Sequence, residues 1–347
     1  MIYLGIDHHK QWDQVAAINV VGEVVLECRV PSTREAWEQL KSALPAGEPV
    51  CSVLEAGWNW GKLYDVLEEL GLNPKLANAL KVRLIAESRI KTDKRDALAL
   101  AQLLRMGWIP EVHVPGRETR DSKNLLRQRA WLIRQRTGIK NRIHAILDRN
   151  HLELPEVSDV FGARGKTWLK AVELREPDDR LLEAHLGLLD AIQNQVRETE
   201  TWIDGALKEH PDLKILMSLP GVGKLLGALI ALEIDGIERF AQPEKLCAYA
   251  GLVSSLHQSG ETVNHGRLIS GCNRHLRYAF IEAAWTAVRV SPYFSAFHRR
   301  VKSRKGSQKA IGAAARKLCV IAYHCMTQRR NYVEKVYRFR SAALVVS

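Results

Sequence analysis

Short apolar runs separated by polar breaks fill the first third of the chain. Residues 3–6 form one such run, ending at Asp7, and residues 50–54 form another, ending at Glu55; both read as buried strands. Residues 14–21 and 23–30 are β-rich around a Val21–Gly22 turn, the pattern of a hairpin. Ala36, Trp37, Leu40 and Leu44 recur at helical spacing over residues 34–44, and Pro45 stops them. Residues 64–70 read as a helix closed by Gly71, residues 72–77 as a strand, and residues 96–106 as a helix ending before Gly107. Strands that pair early and then alternate with helices predict an α/β domain with a mixed sheet.

From about Thr119 the period lengthens. Leu125, Leu132, Ile139 and Ile146 recur every seven residues, and Leu182, Leu186, Leu189, Ile192, Val196, Ile203 and Leu207 follow in a second series spaced for a helix face. Two such helices, separated by the Gly- and Pro-containing residues 152–178, predict an antiparallel coiled coil, although packing of both on a domain core has the same signature. A third region, from about Leu213, reads as helical with an irregular Gly- and Ser-rich stretch over residues 251–271. The division expected is residues 1–118, 119–212 and 213–347.

Charge sharpens this picture. The chain has 347 residues, with 51 Lys and Arg against 39 Asp and Glu, a net charge of +12. Residues 119–150 carry nine bases against two acids and residues 267–340 carry seventeen against two, so these segments hold +7 and +15 and the remainder −10. Residues 151–212 alone hold fourteen acids and seven bases. Two separate basic segments point to a polyanionic partner. No apolar run approaches the ~20 residues of a membrane span, and the N-terminus lacks the layout of a signal peptide, so no membrane partner and a cytoplasmic location are expected. Six scattered cysteines without a CxxC pair fit reduced thiols better than disulfides or a zinc site.

The sharpest candidate chemistry is four carboxylates, Asp7, Glu55, Asp93 and Asp96. Two stand at the ends of apolar strands and two are three residues apart at a helix start, where they share a face. Converging carboxylates repel one another unless divalent cations neutralise them, and hard oxygen ligands suit Mg²⁺ or Mn²⁺. Asp93 also reads as a helix N-cap, and His8 and His9 as ligands, as lining of the site or as surface residues. The GIDHHK segment is shared with sugar kinases and actin-like ATPases, but the glycine-rich phosphate loops those folds need are absent. The Pro220–Gly223 segment, PGVG, fits the turn of a helix-hairpin-helix, whose backbone N–H groups can hold a phosphate. In residues 251–277 serines stand in a Gly-flanked stretch near Arg267, Arg274 and Arg277, a setting that suits a nucleophile attacking a phosphodiester.

The segments GIDHHK, LEAGWNWG, KTDKRDALALAQLL, SLPGVGKLLGALIALEI, LCAYAGL and SGETVNHGRLISGCNRHLR, in this order, closely resemble the transposases of insertion-sequence family 110. The resemblance covers essentially the whole chain. It implies an α/β RuvC-like (ribonuclease H-like) N-terminal domain with a DEDD metal site at Asp7, Glu55, Asp93 and Asp96, a helical coiled-coil middle, and a mainly α C-terminal transposase domain with a helix-hairpin-helix-like element. It further implies a recombinase guided by a structured bridge RNA that pairs with donor and target double-stranded DNA. Its nucleophile would be Ser259, with Ser254 and Ser255 as alternatives of neighbouring register. The family pattern has a Lys after the Ser of its GRIS segment, whereas here Ser270 is followed by Gly271, so the resemblance implies that a phosphate contact is missing at that point.

On this reading Arg127, Arg134, Lys140 and Arg142 are expected to meet nucleic acid from the first basic segment. Arg267, Arg274, Arg277, Arg299, Arg300, Lys302, Arg304 and Lys305 are expected to do so from the second. Trp131, Tyr293 and Phe297 are either base-stacking or core residues. The paired helices are the expected dimerisation element, with a dimer assembling to a tetramer. Two other functions fit the same residues: a junction-resolving nuclease using metal-activated water, and a non-catalytic nucleic-acid-binding scaffold.

Overall fold

A computed structural model describes residues 1–57, 59–86, 92–207, 210–259 and 262–334, excepting the side chains of His257, Ser259, Thr262, Val263 and His265. The chain divides into two compact units, Met1–Val114 and Pro115–Ser347.

In the first unit β1 (Ile2–His8) is the central strand. It pairs antiparallel with β2 (Trp12–Ile18), and β2 pairs antiparallel with β3 (Val24–Pro31). On its other side β1 runs parallel to β4 (Val50–Glu55), and β4 parallel to β5 (Pro74–Ala77), giving the order β3-β2-β1-β4-β5. The hairpin strand β2 stops at Ile18, short of residue 21, because the Asn19 side-chain oxygen accepts from the N–H groups of Val21 and Glu23 and curls the chain into a loop.

Helices α1 (Arg34–Ala43) and α2 (Trp60–Glu69) make the crossovers and cover one face of the sheet. There Ile2, Leu4 and Ile6 of β1 meet Trp37, Leu40, Leu63 and Leu67. Each such fully buried side chain stabilises the fold by roughly 1.5–3 kcal/mol. The opposite face carries α3 (Ala79–Ile85) and α4 (Asp93–Arg105), whose Val82, Leu100 and Leu104 pack with Val53. Helix α4 begins at Asp93, three residues before the expected start. Its N-cap is Thr92, whose hydroxyl accepts from the Arg95 N–H at 3.4 Å, so the cap role considered for Asp93 belongs to its neighbour.

The second unit opens with α5 (Arg117–Arg149), α6 (Ala163–Ala171) and α7 (Asp178–Leu207). Arg129 in the first half of α5 pairs with Glu200 near the end of α7, and Arg149 at the end of α5 meets Asp178 at the start of α7, so the two long helices run antiparallel. Leu132, Ile139 and Ile146 are buried along one helix and Leu182, Leu189, Val196 and Ile203 along the other, each series at steps of seven. The basic helix thus lies along the acidic one within a single chain.

Beyond them α8 (Leu213–Met217) and α9 (Lys224–Ile234) flank the Pro220–Gly223 turn, followed by α10 (Pro243–Tyr249), α11 (Arg274–Val290), α12 (Pro292–Lys305) and α13 (Ser307–Thr327). Gly221 has φ +82°, and a Cβ there would stand 2.2 Å from Ala283 O and 2.7 Å from Ala287 N, so this turn is seated against the backbone of α11. The stretch expected to be irregular, residues 251–271, is instead largely a hairpin of β6 (Ser254–Ser259) and β7 (Thr262–Leu268). Leu256 and Leu268 on it are exposed, so no buried face imposes the apolar alternation by which a strand is recognised. Among the described residues no helix is long and apolar enough to cross a membrane.

Candidate active site

The site in the first unit follows from one small residue. Gly5 sits mid-strand in β1, and a Cβ there would lie 2.0 Å from Ala97 O and 2.5 Å from Ala101 N. Only glycine lets α4 lie this close to the sheet, and the small Ala97 and Ala101 on the helix side keep the approach open. Side chains alternate across the sheet, so Asp7, two residues beyond Gly5, points to the α4 face as well. Val53 pairs with Gly5 in the parallel register, and Glu55, two residues on, emerges beside Asp7 on that face. The start of α4 brings Asp93 and Asp96, and negative charge in a first helical turn is favoured by the helix dipole.

Asp7, Glu55 and Asp96 line one cleft of about 470 Å³, together with Arg83 and Leu80 of α3. Asp93 joins through His9, whose Nε2 lies 3.2 Å from Asp7 Oδ2 and 3.6 Å from Asp93 Oδ1. One ligand atom each of Asp7, His9 and Asp93 falls within 4.8 Å of the others, spacing compatible with a single cation. Asp7 binds its proton more tightly than an ordinary carboxyl, first because it is partly buried and then because Asp93 and Asp96 stand near, while His9 opposes the shift. A repulsive, half-desolvated carboxylate set is what a divalent cation relieves, so the residues fit Mg²⁺ or Mn²⁺.

The two histidines separate in role. His8 Nδ1 lies 2.5 Å from Asp13 Oδ1, and Asp13, fully buried, also accepts from Trp37 Nε1 at 3.0 Å, so His8 is held away from the acids. His9 faces them. Its ring centroid lies 4.2 Å from that of Trp12, over whose ring the Arg29 guanidinium stands at 4.1 Å, and Arg29 Nη2 approaches Asp93 Oδ2 at 3.7 Å. Arg29 and Arg83 escaped the sequence reading, because their place depends on β3 and on α3, an element whose exposed Leu80 and Leu84 hide its period.

In the second unit Ser259 ends β6, its backbone opposite Thr262 across the hairpin; its side chain, with Gly260 and Glu261, lies outside the described residues. Ser254 stands at the other end of β6, opposite Leu268, with Ser255 beside it. The basic residues named above divide by surroundings. Arg134, Arg142, Arg267, Arg274, Arg299, Lys302 and Lys305 are exposed. Arg127 is exposed as well but reaches Glu233 at 3.2 Å, and Lys140 lies 4.5 Å over the Phe161 ring. Arg300 stands over Phe297, and Arg304 donates to the Arg300 carbonyl. Arg277 turns inward, donating to Ile269 O and to Cys272 Sγ, and so ties the end of the hairpin to the first turns of α11. Of the aromatic candidates, Tyr293 is buried and Phe297 is packed against the core, whereas Trp131 is exposed.

A charged cluster that sequence reasoning passed over lies between α5, α9 and the start of α11. Glu233, almost fully buried on α9, faces Lys123 at 3.7 Å and accepts from Asn273 Nδ2 at 2.9 Å; Asn273 in turn caps α11. Burial lowers the Lys123 pKa, against the opposing pull of Glu233 and Asp235.

A family model described as a transposase, of the DEDD type of IS110, matches residues 4–152, and the model described as "Transposase IS116/IS110/IS902 family" matches residues 213–299. The chain is 25% identical to the transposase for insertion sequence element IS1111A of Coxiella burnetii, over 95% of this chain and 90% of that protein. It is 23% identical to a 43.6 kDa protein of insertion element IS110 of Streptomyces coelicolor, over 87% and 88%. A pilin gene-inverting protein of Moraxella bovis is 30% identical over 35% of this chain and 39% of its own.

Proposed function

Since the chain belongs to the IS116/IS110/IS902 family of transposases, enzymes that cleave and rejoin DNA, we propose that it recombines the DNA of an insertion sequence by metal-assisted transesterification, with Ser259 as nucleophile and a bridge RNA as guide. The observation that carries the reading is the convergence of Asp7, Glu55 and Asp96 in one cleft with Asp93 beside Asp7.

Asp7, Glu55, Asp93 and Asp96 would hold one or two Mg²⁺ or Mn²⁺ ions, with His9 steadying Asp7 and Asp93. Bound there, the cation would draw negative charge from the scissile phosphate and the leaving oxygen. Ser259 Oγ gives up its proton and forms a bond to phosphorus as the bond to one deoxyribose oxygen breaks, and that oxygen leaves as a free hydroxyl. Attack by a hydroxyl of the exchanged strand reverses the step and restores the serine. One phosphodiester replaces another, so no hydrolysis intervenes.

Residues 1–118 serve as the metal-binding domain, residues 119–212 as the helices through which copies meet, and residues 213–347 as the bearer of the serine. Association of copies is supported by Leu181, Leu188 and Trp202, which are exposed at spacings of seven and fourteen on α7, outside the seam that α5 fills. The exposed arginines of α5 and α12 suit donor DNA, target DNA and the guide RNA. The test incubates the protein, with the RNA that co-purifies, and DNA carrying element ends, with and without Mg²⁺. Recombinant joints should require Mg²⁺ and vanish in Asp7→Ala and in Ser259→Ala; joints formed at normal yield by either variant overturn the mechanism.

A further inference from the structure

In the second unit a hollow of about 430 Å³ opens between α5, α9 and the first turns of α11. Its size lies within the roughly 300–1,000 Å³ of small-ligand sites. Its floor is apolar, made by Ile133 of α5 and by Leu225, Leu226 and Leu229 of α9, with the exposed ring of Tyr278 at one side. Its polar groups are all basic or neutral. Arg129 is engaged by Glu200, whereas among the described residues Arg134 and Arg274 have no carboxylate partner and no acid lines the hollow.

This combination selects a ligand. A leucine floor has nothing to offer a phosphate, and unopposed guanidinium groups have nothing to offer a purely apolar group. A flat, weakly polar ring attached to a phosphate satisfies both. A duplex is too wide for the hollow and keeps its bases stacked, whereas loops of folded RNA present unstacked bases that aromatic and arginine side chains receive. His275 also lines the hollow. Burial and the nearby Arg127 and Arg134 lower its pKa against the opposing Glu233, so the imidazole stays neutral near pH 7, with one nitrogen to donate and one to accept. A ribose 2′-hydroxyl, at once donor and acceptor, matches it.

We propose that this hollow is a binding site for one unstacked RNA nucleotide, its base on the leucines and Tyr278 and its phosphate between Arg134 and Arg274. The inference rests on the nucleic-acid reading above and deepens it, since it assigns part of the RNA contact to a defined pocket.

The test uses the full chain and a single-stranded RNA oligonucleotide carrying 4-thiouridine, with DNA of the same sequence as competitor. Photocrosslinks should map to the α11 residues Tyr278 or His275. Tyr278→Ala, whose ring is half exposed, and Leu226→Asp should each weaken RNA binding at least about fivefold, the lower bound for one stacked base, with thermal melting confirming that Tyr278→Ala is folded. The DNA should compete less well than the RNA. Crosslinks confined to other regions, with both variants binding as wild type, overturn the site, and DNA competing equally overturns its assignment to RNA. A wild-type chain that binds neither oligonucleotide would instead remove the functional reading itself.

Discussion

Replacing Gly5 by Ala probes the proposed metal site without touching any of the four acids. The added Cβ would stand 2.0 Å from Ala97 O and 2.5 Å from Ala101 N, both backbone atoms of α4, so no side-chain rotation relieves the clash. Ordinary contact begins near 3.4 Å, which requires a retreat of roughly 1.4 Å. Strand β1 cannot give way, because Gly5 is paired on both sides, with Ala16 and with Val53. Helix α4 therefore moves, carrying Asp93 and Asp96 away from Asp7 and Glu55, which stay with the sheet. Overpacking of this kind costs about 1–3 kcal/mol of stability. A displacement near 1 Å in catalytic groups costs on the order of 100-fold in rate. Calorimetric Mg²⁺ titration, thermal melting and the rate of Mg²⁺-dependent DNA cleavage read the three consequences. Gly47→Ala is the control: its φ of +80° imposes strain, but nothing lies within 4 Å, so stability should fall while Mg²⁺ affinity holds. A Gly5→Ala protein that melts lower yet binds Mg²⁺ and cleaves as before would refute the claim that this close approach holds the acids together.

Other consequences follow from the same contacts. Glu233→Leu strands the buried Lys123 ammonium and should cost about 3–5 kcal/mol in urea unfolding, much of it recovered in the Lys123→Met, Glu233→Leu double variant; a single variant as stable as wild type would show that the pair is not coupled to folding. Trp37→Phe leaves Asp13 Oδ2 without its buried donor and should lower stability by about 1–3 kcal/mol, with a smaller loss in a protein that also carries Asp13→Asn. Hydrogen bonds from Arg149 and Asn150 hold the Asp178 carboxyl below its ordinary 3.8, so its contribution is present above that value and lost as pH falls through the depressed one. Asp178→Asn should accordingly melt below wild type at pH 7 and match it in strong acid, and a difference that persists there would contradict the assignment.

Much of the first unit was legible because its features are local. An apolar run closed by an acid marks a central strand and the edge from which Asp7 and Glu55 project, and KTDKRDA marks a helix start with two acids on one face. The heptads of α5 and α7 marked two long helices, but spacing alone did not separate a coiled coil from packing on a core. Both occur: Leu132, Ile139 and Ile146 lie buried along the pair, while Leu126, Ile203 and Leu207 join the core of the C-terminal helices. What escaped depends on distant partners. Nothing in GIDHHK says that Gly5 must receive Ala97, that His8 belongs to Asp13 and Trp37, or that His9 faces the acids. The β6–β7 hairpin was hidden because neither of its faces imposes apolar alternation. Arg277 looked like its exposed neighbours, yet its contacts with Ile269 and Cys272 exist only once the chain turns from β7 into α11.

The most direct measurement traps the protein on DNA during Mg²⁺-dependent cleavage and identifies the attached residue by mass spectrometry of the digested adduct. The account predicts a single phosphoserine linkage at Ser259, absent from Ser259→Ala and from Asp7→Ala. Cleavage that proceeds normally with no covalent linkage, releasing free 5′-phosphate and 3′-hydroxyl ends, would contradict it and identify water as the nucleophile.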